Sequence, residues 1–142
     1  MPKTADPVIE EEMWQISTAD IFKCLSDESR LRILHLLSQR PLCGCHFIEV
    51  LGLDQVKISK LLTYMKRLGM VEATREANWM VYRLAEPVNP IIAMNLDCLV
   101  QYSANVAKLF STDLRQLAHV MARIRQHETD CPKLVMEGSN PS

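Results

Sequence analysis

The chain has 142 residues, of which 48% are hydrophobic and 23% are charged, and its formal net charge is −1. This length fits one domain with a sizeable core, and the composition is that of an ordinary globular protein. No apolar run approaches the roughly 18 to 20 residues that span a membrane, and the acidic start lacks a signal-peptide core. We therefore expect a cytoplasmic protein without membrane contact, whose five cysteines are reduced thiols rather than a disulfide framework.

The first part of the chain predicts an arm followed by a helix. Residues 1–12 are charged and contain prolines, which is typical of a mobile arm. Apolar residues recur between Met13 and Leu25 and indicate a helix that packs inward or against a second subunit. Cys24 lies among them, and we expect an inert thiol there because free cysteines are among the most buried residues.

A second helix is predicted before Pro41. Ser26 or Asp27 is its expected N-cap, because both side chains accept hydrogen bonds from the first turn of a helix. Leucines and isoleucines form its core face, and Arg32 is expected on the solvent side. His35 lies among leucines and is expected in the core or at its boundary rather than at a metal ion.

Residues 45–67 have the pattern of a helix-turn-helix. A short apolar segment from Cys45 to Leu51 precedes Gly52 and Asp54, which supply a tight turn and an N-cap. In the next segment apolar residues recur at three- and four-residue steps, the spacing of one buried helix face. They are Ile58, Leu61, Leu62, Met65 and Leu68. The opposite face is polar and cationic, which suits the DNA major groove and is typical of a recognition helix.

Two β-favouring runs follow this helix. Residues 70–75 and 79–84 favour strands, and the short polar segment between them favours a turn. A hairpin in this place is a wing, and Arg75 and Asn78 near its tip can contact phosphate or the minor groove. The sequence thus predicts a mainly α fold with a small β-hairpin wing, a winged helix-turn-helix that spans residues 13–86.

The net charge gives no hint of nucleic-acid binding, but the charges are unevenly distributed. Residues 56–83 contain six Lys or Arg against two Glu, whereas acidic residues concentrate near the start of the chain. Phosphate neutralisation needs a basic patch of this kind. The residues that we expect to contact DNA are Gln55, Lys57, Ser59, Lys60, Thr63 and Tyr64 of the recognition helix, with Arg75 and Asn78 of the wing.

Cys43 and Cys45 form a close thiol pair just before the helix-turn-helix. Thiolates select soft or thiophilic ions, so the candidates are Zn(II), Cd(II), Pb(II), Cu(I) and the trivalent metalloids. Side chains two apart in a regular helix point to different sides. Both thiols therefore bind one ion only where the backbone is irregular, and we expect Gly44 between them to make that distortion easy.

The last third of the chain predicts a dimer interface. Residues 87–130 contain two strongly apolar helical segments, and faces this apolar need a partner to cover them. We expect a homodimer in which these helices and the first helix form the interface. The tail 131–142 contains a Gly-Ser-Asn-Pro run and is expected to be flexible.

Four stretches together point to a known family. They are the block FKCLSDESRLRIL at residues 22–34, the thiol pair, the start of the recognition helix and the Leu-Gly-Met-Val exit into the wing. This combination resembles the ArsR/SmtB family of metal-responsive winged-helix repressors over about residues 21–84. The resemblance implies a homodimer that occupies a palindromic operator and leaves it when an inducer ion binds. Leu61 stands where the family usually has a histidine.

The resemblance also implies that Cys43 and Cys45 bind arsenite or antimonite, or contribute to a cadmium or lead site. A trivalent metalloid binds three thiolates, and Ile48 stands where the family places a third cysteine. Cys98 or Cys131 is then the candidate third ligand, with water or hydroxide as the alternative. Ion binding would unwind or re-aim the helix after the thiols and so displace the recognition helix.

The sequence is also compatible with other functions. A Cd(II)-, Pb(II)- or Zn(II)-responsive repressor would use the same thiols, and His46 could join such a site, although a solvent-facing histidine is commoner. Oxidation of the pair would give a thiol redox sensor on the same fold, and a winged helix without an effector is a further alternative. An enzyme is not expected, because the chain has neither a Cys-x-x-Cys motif near a βαβ pattern nor a glycine-rich phosphate loop.

Overall fold

The structure is a computed structural model that describes residues 16–127. Its helices and strands in chain order are α1 (Thr18–Leu25), α2 (Glu28–Leu37), β1 (Leu42–Cys43), α3 (Gly44–Leu51), α4 (Gln55–Arg67), β2 (Val71–Glu76), β3 (Trp79–Leu84), α5 (Pro90–Tyr102) and α6 (Ala104–His127). The predicted arm 1–12 and tail 131–142, with Cys131, lie outside the described residues. Within those residues no helix is both long and apolar enough to cross a membrane.

α1 begins at Thr18, later than the predicted Met13. Ser17 is its N-cap, since the hydroxyl oxygen accepts a hydrogen bond from the Asp20 N–H at 3.1 Å. Cys24 near the end of α1 is fully buried, and burial raises the pKa of its thiol to about 11. The prediction that Cys24 is buried is confirmed.

The turn between α3 and α4 matches the prediction. Gly52 ends α3 with a φ of 71°, a left-handed conformation that glycine adopts at little cost. Asp54 then caps α4, accepting a hydrogen bond from the Lys57 N–H at 2.8 Å. The predicted apolar face of α4 packs into the core, where Ile58, Leu61, Leu62 and Met65 are buried. The polar face of α4 is thereby left to solvent.

The sheet has three antiparallel strands in the order β1, β3, β2. β2 and β3 form the predicted wing hairpin, in which Glu76 pairs with Trp79 and Ala77 in the turn has a φ of 58°. The sequence did not predict β1, because two residues are too few to show an alternating pattern. Its pairing places Cys43 opposite Val81, so the thiol pair is joined directly to the wing.

α6 packs along α2 and α3 of its own chain, where Leu117 and Val120 are buried. Large apolar side chains nevertheless remain exposed on α1 and α5. They are Phe22, Met94, Val100 and Tyr102.

A buried ion pair fastens α6 to α2. Arg32 donates through Nε and Nη2 to the two carboxylate oxygens of Asp113, at 2.9 and 2.7 Å, and the Asp113 side chain is 1% exposed. The expectation that Arg32 faces solvent is wrong, because the helical period of α2 does not reveal a partner on a distant helix. His35 is buried as predicted and stacks on Phe110, with ring centroids 4.1 Å apart.

Candidate thiol site and nucleic-acid interface

The thiol pair lies where strand β1 turns into helix α3. Cys43 is the N-cap of α3, with an extended backbone of φ −83° and ψ 159°, and Cys45 is in the first turn. Cys43 is buried and Cys45 is half-buried. The backbone at the pair is therefore not regular helix, which is the condition for two thiols this close in sequence to bind one ion.

Gly44 has a different role from the one expected. Its φ lies outside the left-handed region, and a Cβ added there would come no closer than 3.9 Å to its nearest neighbour, a ring carbon of Tyr82. An alanine would fit this position without strain. The irregular backbone at the pair comes from the junction of strand and helix, which an alanine at position 44 could also form.

His46 is buried rather than solvent-facing, with 1% of its surface exposed. Its Nδ1 accepts a hydrogen bond from the Cys43 N–H at 3.1 Å, which satisfies one of the free amide groups at the start of α3. An amide N–H can only donate, so Nδ1 has no proton and the neutral ring has its proton on Nε2. Metal binding through Nε2 would therefore require the loss of this cap.

The oxidation state of Cys43 departs from the expectation of five reduced thiols. Cys43 takes part in a disulfide bond, whereas Cys24 and Cys98 are free thiols. The expectation of reduced thiols follows from the redox state of the compartment. The fold, however, determines which sulfur atoms are close enough to form a bond. Cys43 must be reduced before it can bind an ion as a thiolate.

A cavity of about 320 Å³ joins the thiol pair to the DNA-binding elements. Its lining comes from four elements, β1, α3, α4 and β3. The lining residues are Cys43, Gly44, Cys45, Ile48, Gln55, Ile58, Ser59, Leu62, Trp79, Met80 and Tyr82. An ion bound by the thiols would thus lie against the first turns of α4 and against one strand of the wing.

The sequence did not predict that β3 lines part of this cavity. Trp79 and Tyr82 line it because β1 pairs with β3, and nothing in the sequence indicates that pairing. A larger cavity of about 650 Å³ lies between α2, the end of β3 and α5, and no cysteine lines it. The thiol chemistry therefore belongs to the smaller cavity.

The candidate third ligands are not brought to the pair within the described residues. Across residues 16–127, no three Cys, His, Asp or Glu side chains are grouped so that they could hold a metal ion. Cys98 is exposed on α5 and does not line the thiol cavity. Cys131 lies outside the described residues.

The predicted DNA-contacting residues of α4 form one exposed surface. Gln55, Lys57, Ser59, Lys60 and Thr63 are all exposed, on the side of α4 opposite its buried face. Tyr64 differs from them, because it is half-buried and the Arg30 guanidinium lies over its ring at 4.8 Å from the centroid. The Tyr64 ring face under Arg30 is therefore not available for a contact with DNA.

The wing adds two exposed groups to this surface. Arg75 lies on β2 and Asn78 in the hairpin turn, and both side chains are exposed. Arg83 on β3 is instead engaged, donating to the Thr74 hydroxyl at 2.9 Å and pairing with Glu76 at 3.7 Å. Among the wing cations, Arg75 is the one left for phosphate.

Comparison with known proteins places this arrangement in a family. The model described as bacterial regulatory protein, arsR family, matches residues 27–73. The arsenical resistance operon repressor of Escherichia coli (strain K12) is 35% identical over 78 residues, which cover 54% of this chain and 67% of the repressor. This chain belongs to the arsR family. The family is described as one of bacterial regulatory proteins, and the matched segment contains the helix-turn-helix of this chain.

Two further known proteins are similar to this chain in sequence or in fold. The arsenic resistance transcriptional regulator ArsR1 of Pseudomonas putida is 37% identical over 65 residues, 45% of this chain and 51% of that regulator. The crystal structure of Rv0081 from M. tuberculosis is 30% identical with a TM-score of 0.52, and the match covers 73% of this chain and 96% of that one. The chain spans about half of ArsR1 and two thirds of the E. coli repressor.

The segment that matches the arsR family model does not include all of the candidate functional residues. Residues 27–73 include the thiol pair and all of α4, but not Arg75 and Asn78 of the wing, nor Cys98 on α5. The roles of these last residues therefore depend on the geometry of this chain alone.

Proposed function

We propose that this arsR-family chain is a metalloid-responsive repressor, which binds operator DNA as a homodimer and dissociates when Cys43 and Cys45 bind As(III) or Sb(III). The observation that supports this function best is the shared cavity. It contains both thiols together with Gln55 and Ser59, which belong to the predicted DNA-contacting surface of α4. An ion held by the pair therefore acts directly on the start of the recognition helix.

Ion binding changes the junction between β1 and α3. Cys43 is an N-cap with extended backbone and Cys45 lies in the first turn, so drawing both sulfurs onto one ion reshapes that turn. α3 packs against α4, and Cys43 pairs with Val81 of the wing. The recognition helix and the wing then lose the relative placement that fits the operator.

The choice of inducer depends on the chemistry of the thiols and on the relatives. Two relatives are named as regulators of arsenic or arsenical resistance. Zn(II) takes four ligands, two more than the thiol pair supplies, and His46 is engaged as a cap. Cd(II) and Pb(II), which also bind thiolates, are the alternative inducers, and Zn(II) would need two further ligands from elsewhere.

The homodimer is supported by the apolar side chains that the chain leaves exposed. Phe22 on α1 and Met94, Val100 and Tyr102 on α5 are between 44% and 81% exposed. A second copy that covers this surface places two recognition helices in symmetric positions, which fits a palindromic operator. The interface proposed here uses α1 and α5, while α6 packs mainly on its own chain.

The test is release of DNA by inducer. Fluorescence anisotropy of the reduced protein on a labelled fragment from upstream of its own gene is titrated with arsenite, antimonite, Cd(II) and Zn(II). We expect arsenite and antimonite to release the wild type and to leave a Cys43→Ser, Cys45→Ser double variant bound. A Cys24→Ser variant is the matched control, because Cys24 is buried outside the cavity. DNA that stays bound with every ion would refute the assignment.

A thiol redox sensor is the second candidate, because Cys43 takes part in a disulfide bond. Oxidation in place of an ion would then change the same β1–α3 junction. The same titration distinguishes the two functions when it is repeated without ions, with and without a phosphine reductant. Loss of DNA binding on oxidation alone, with no response of the reduced protein to arsenite, would favour the redox sensor.

A further inference from the structure

One strongly exposed apolar side chain lies on the helix-turn-helix. Among residues 16–127, five large apolar side chains are exposed, and four of them, on α1 and α5, belong to the surface proposed for the dimer. The fifth is Val56, the second residue of α4, which is 63% exposed. Neither the core nor the proposed dimer surface accounts for an apolar side chain at this position.

Val56 lies at the centre of the exposed face of α4. Lys60 and Thr63, four and seven residues further along, share its side of the helix and are also exposed. The buried residues of α4 lie on the opposite side. Gln55 and Ser59 line the thiol cavity and so lie to one side of this row. The row that begins with Val56 is therefore the part of α4 that faces most directly away from the core.

The position of Val56 along α4 suits a contact with the edges of base pairs. In a helix-turn-helix, the N-terminal residues of the recognition helix approach the base edges in the major groove. Helix stability does not explain a valine here, because branching at Cβ restricts the side chain and lowers helix propensity. The exposed valine therefore calls for an apolar group outside the chain.

The major groove offers one such group. Every base pair presents hydrogen-bond donors and acceptors there, and thymine adds an apolar C5-methyl group. A valine placed against a polar base edge removes water from that edge without offering a hydrogen bond, which is unfavourable. A valine placed against the thymine methyl group removes apolar surface of both partners from water, which is favourable.

We propose that Val56 contacts the C5-methyl group of one thymine in each half of the operator, and so selects an A·T pair at that position. This inference rests on the proposed binding of operator DNA through α4. Val56 is then a specificity-determining residue, whereas the lysines of α4 bind phosphates, which are the same in every sequence.

The test removes the methyl group and the valine side chain separately and together. In synthetic duplexes of the fragment that the protein binds, each thymine is replaced in turn by uracil, which lacks only the C5-methyl group and pairs in the same way. Anisotropy titrations of the reduced protein without inducer compare the wild type with Val56→Ala. Thr63→Ala is the matched control, because Thr63 lies in the same exposed row of α4.

We expect uracil at one thymine of each half-site to weaken binding of the wild type about fourfold, the factor that one buried methyl group contributes. Val56→Ala should bind the unmodified duplex more weakly than the wild type does, and uracil at that thymine should not weaken it further. Thr63→Ala should keep the fourfold response at the same thymine, whatever its own affinity.

A Val56→Ala variant that responds to uracil as the wild type does at every thymine would overturn the inference, because its loss of affinity would then not involve a methyl group. A wild type that responds to uracil at no thymine would overturn it as well. In both cases the duplex is still bound, so the proposed repressor stands. A wild type that binds no fragment would instead refute the proposed DNA binding itself.

Discussion

Two cysteines on different helices should differ sharply in reactivity. Burial raises the pKa of Cys24 to about 11, so almost none of it is thiolate at neutral pH, and its sulfur is out of contact with solvent. Cys98 is exposed on α5. Iodoacetamide at pH 7.5, followed by peptide mass spectrometry, should label Cys98 rapidly and Cys24 only after denaturation. Fast labelling of Cys24 in the folded protein would show that α1 opens locally.

The buried ring of His35 should make stability depend on pH. Burial lowers its pKa below the ordinary value of 6.5, an effect that Asp113 partly opposes. The unfolded chain then binds the proton more readily, so the free energy of unfolding is full above pH 6.5 and declines as the pH falls below it. Urea unfolding at pH 7.5 and 5.5 should show a decline in the free energy of unfolding that is smaller in His35→Phe.

His119, which is exposed on α6, provides the control for that measurement. His119→Gln should keep the full decline of the wild type. Equal declines in wild type and His35→Phe would mean that another group, such as the buried His46, causes the acid sensitivity.

Sequence patterns identify the candidate site residues but do not describe the structure around them. The thiol pair and the exposed face of α4 can be predicted from the sequence, because residue type and helical spacing determine them locally. The burial of His46 and the space for a Cβ at Gly44 cannot be predicted in this way, because each depends on a contact that forms only in the folded chain. His46 is buried by its bond to the Cys43 amide, and the space near Gly44 is set by Tyr82 of a distant strand.

At the scale of elements, the ion pair between Arg32 and Asp113 should hold α6 against α2. Asp113 is 1% exposed, so removing the guanidinium leaves a buried carboxylate without its partner. We expect Arg32→Ala to lower the free energy of unfolding by about 3 kcal/mol in urea denaturation. Arg115→Ala, on the exposed side of α6, should change the free energy of unfolding by less than about 0.5 kcal/mol. Similar values for the two variants would contradict a structural role for the pair.

The helices and the wing hairpin were predictable from the sequence, but the elements that pack or pair with each of them were not. Caps such as Asp27 and Asp54 and the apolar period of α4 specify elements within a few residues of chain. β1 has two residues and is a strand only because β3 lies beside it. α6 has an apolar stripe that could pack against a second subunit or against the core of its own chain. The sequence does not distinguish these two kinds of contact, because both need the same apolar residues.

For the whole molecule, DNA affinity should fall with salt in proportion to the number of phosphates that the protein neutralises. Lys57 and Lys60 are exposed on the side of α4 that we predict to face DNA, in the segment where the positive charge of this otherwise near-neutral chain is concentrated. Removing one lysine that binds a phosphate should flatten the plot of log affinity against log salt by about one unit. In a homodimer every substitution is present twice, so Lys57→Ala or Lys60→Ala should flatten the slope by about two.

Lys108 offers the matched comparison, because it is equally exposed but lies on α6, outside the helix-turn-helix. Anisotropy titrations from 50 to 300 mM salt should leave the Lys108→Ala slope at the wild-type value. A change of about one unit for Lys57→Ala would indicate that a single protomer contacts the operator through this residue. Unchanged slopes for both α4 lysines would mean that another surface binds DNA, since a cation that contacts phosphate always releases counterions.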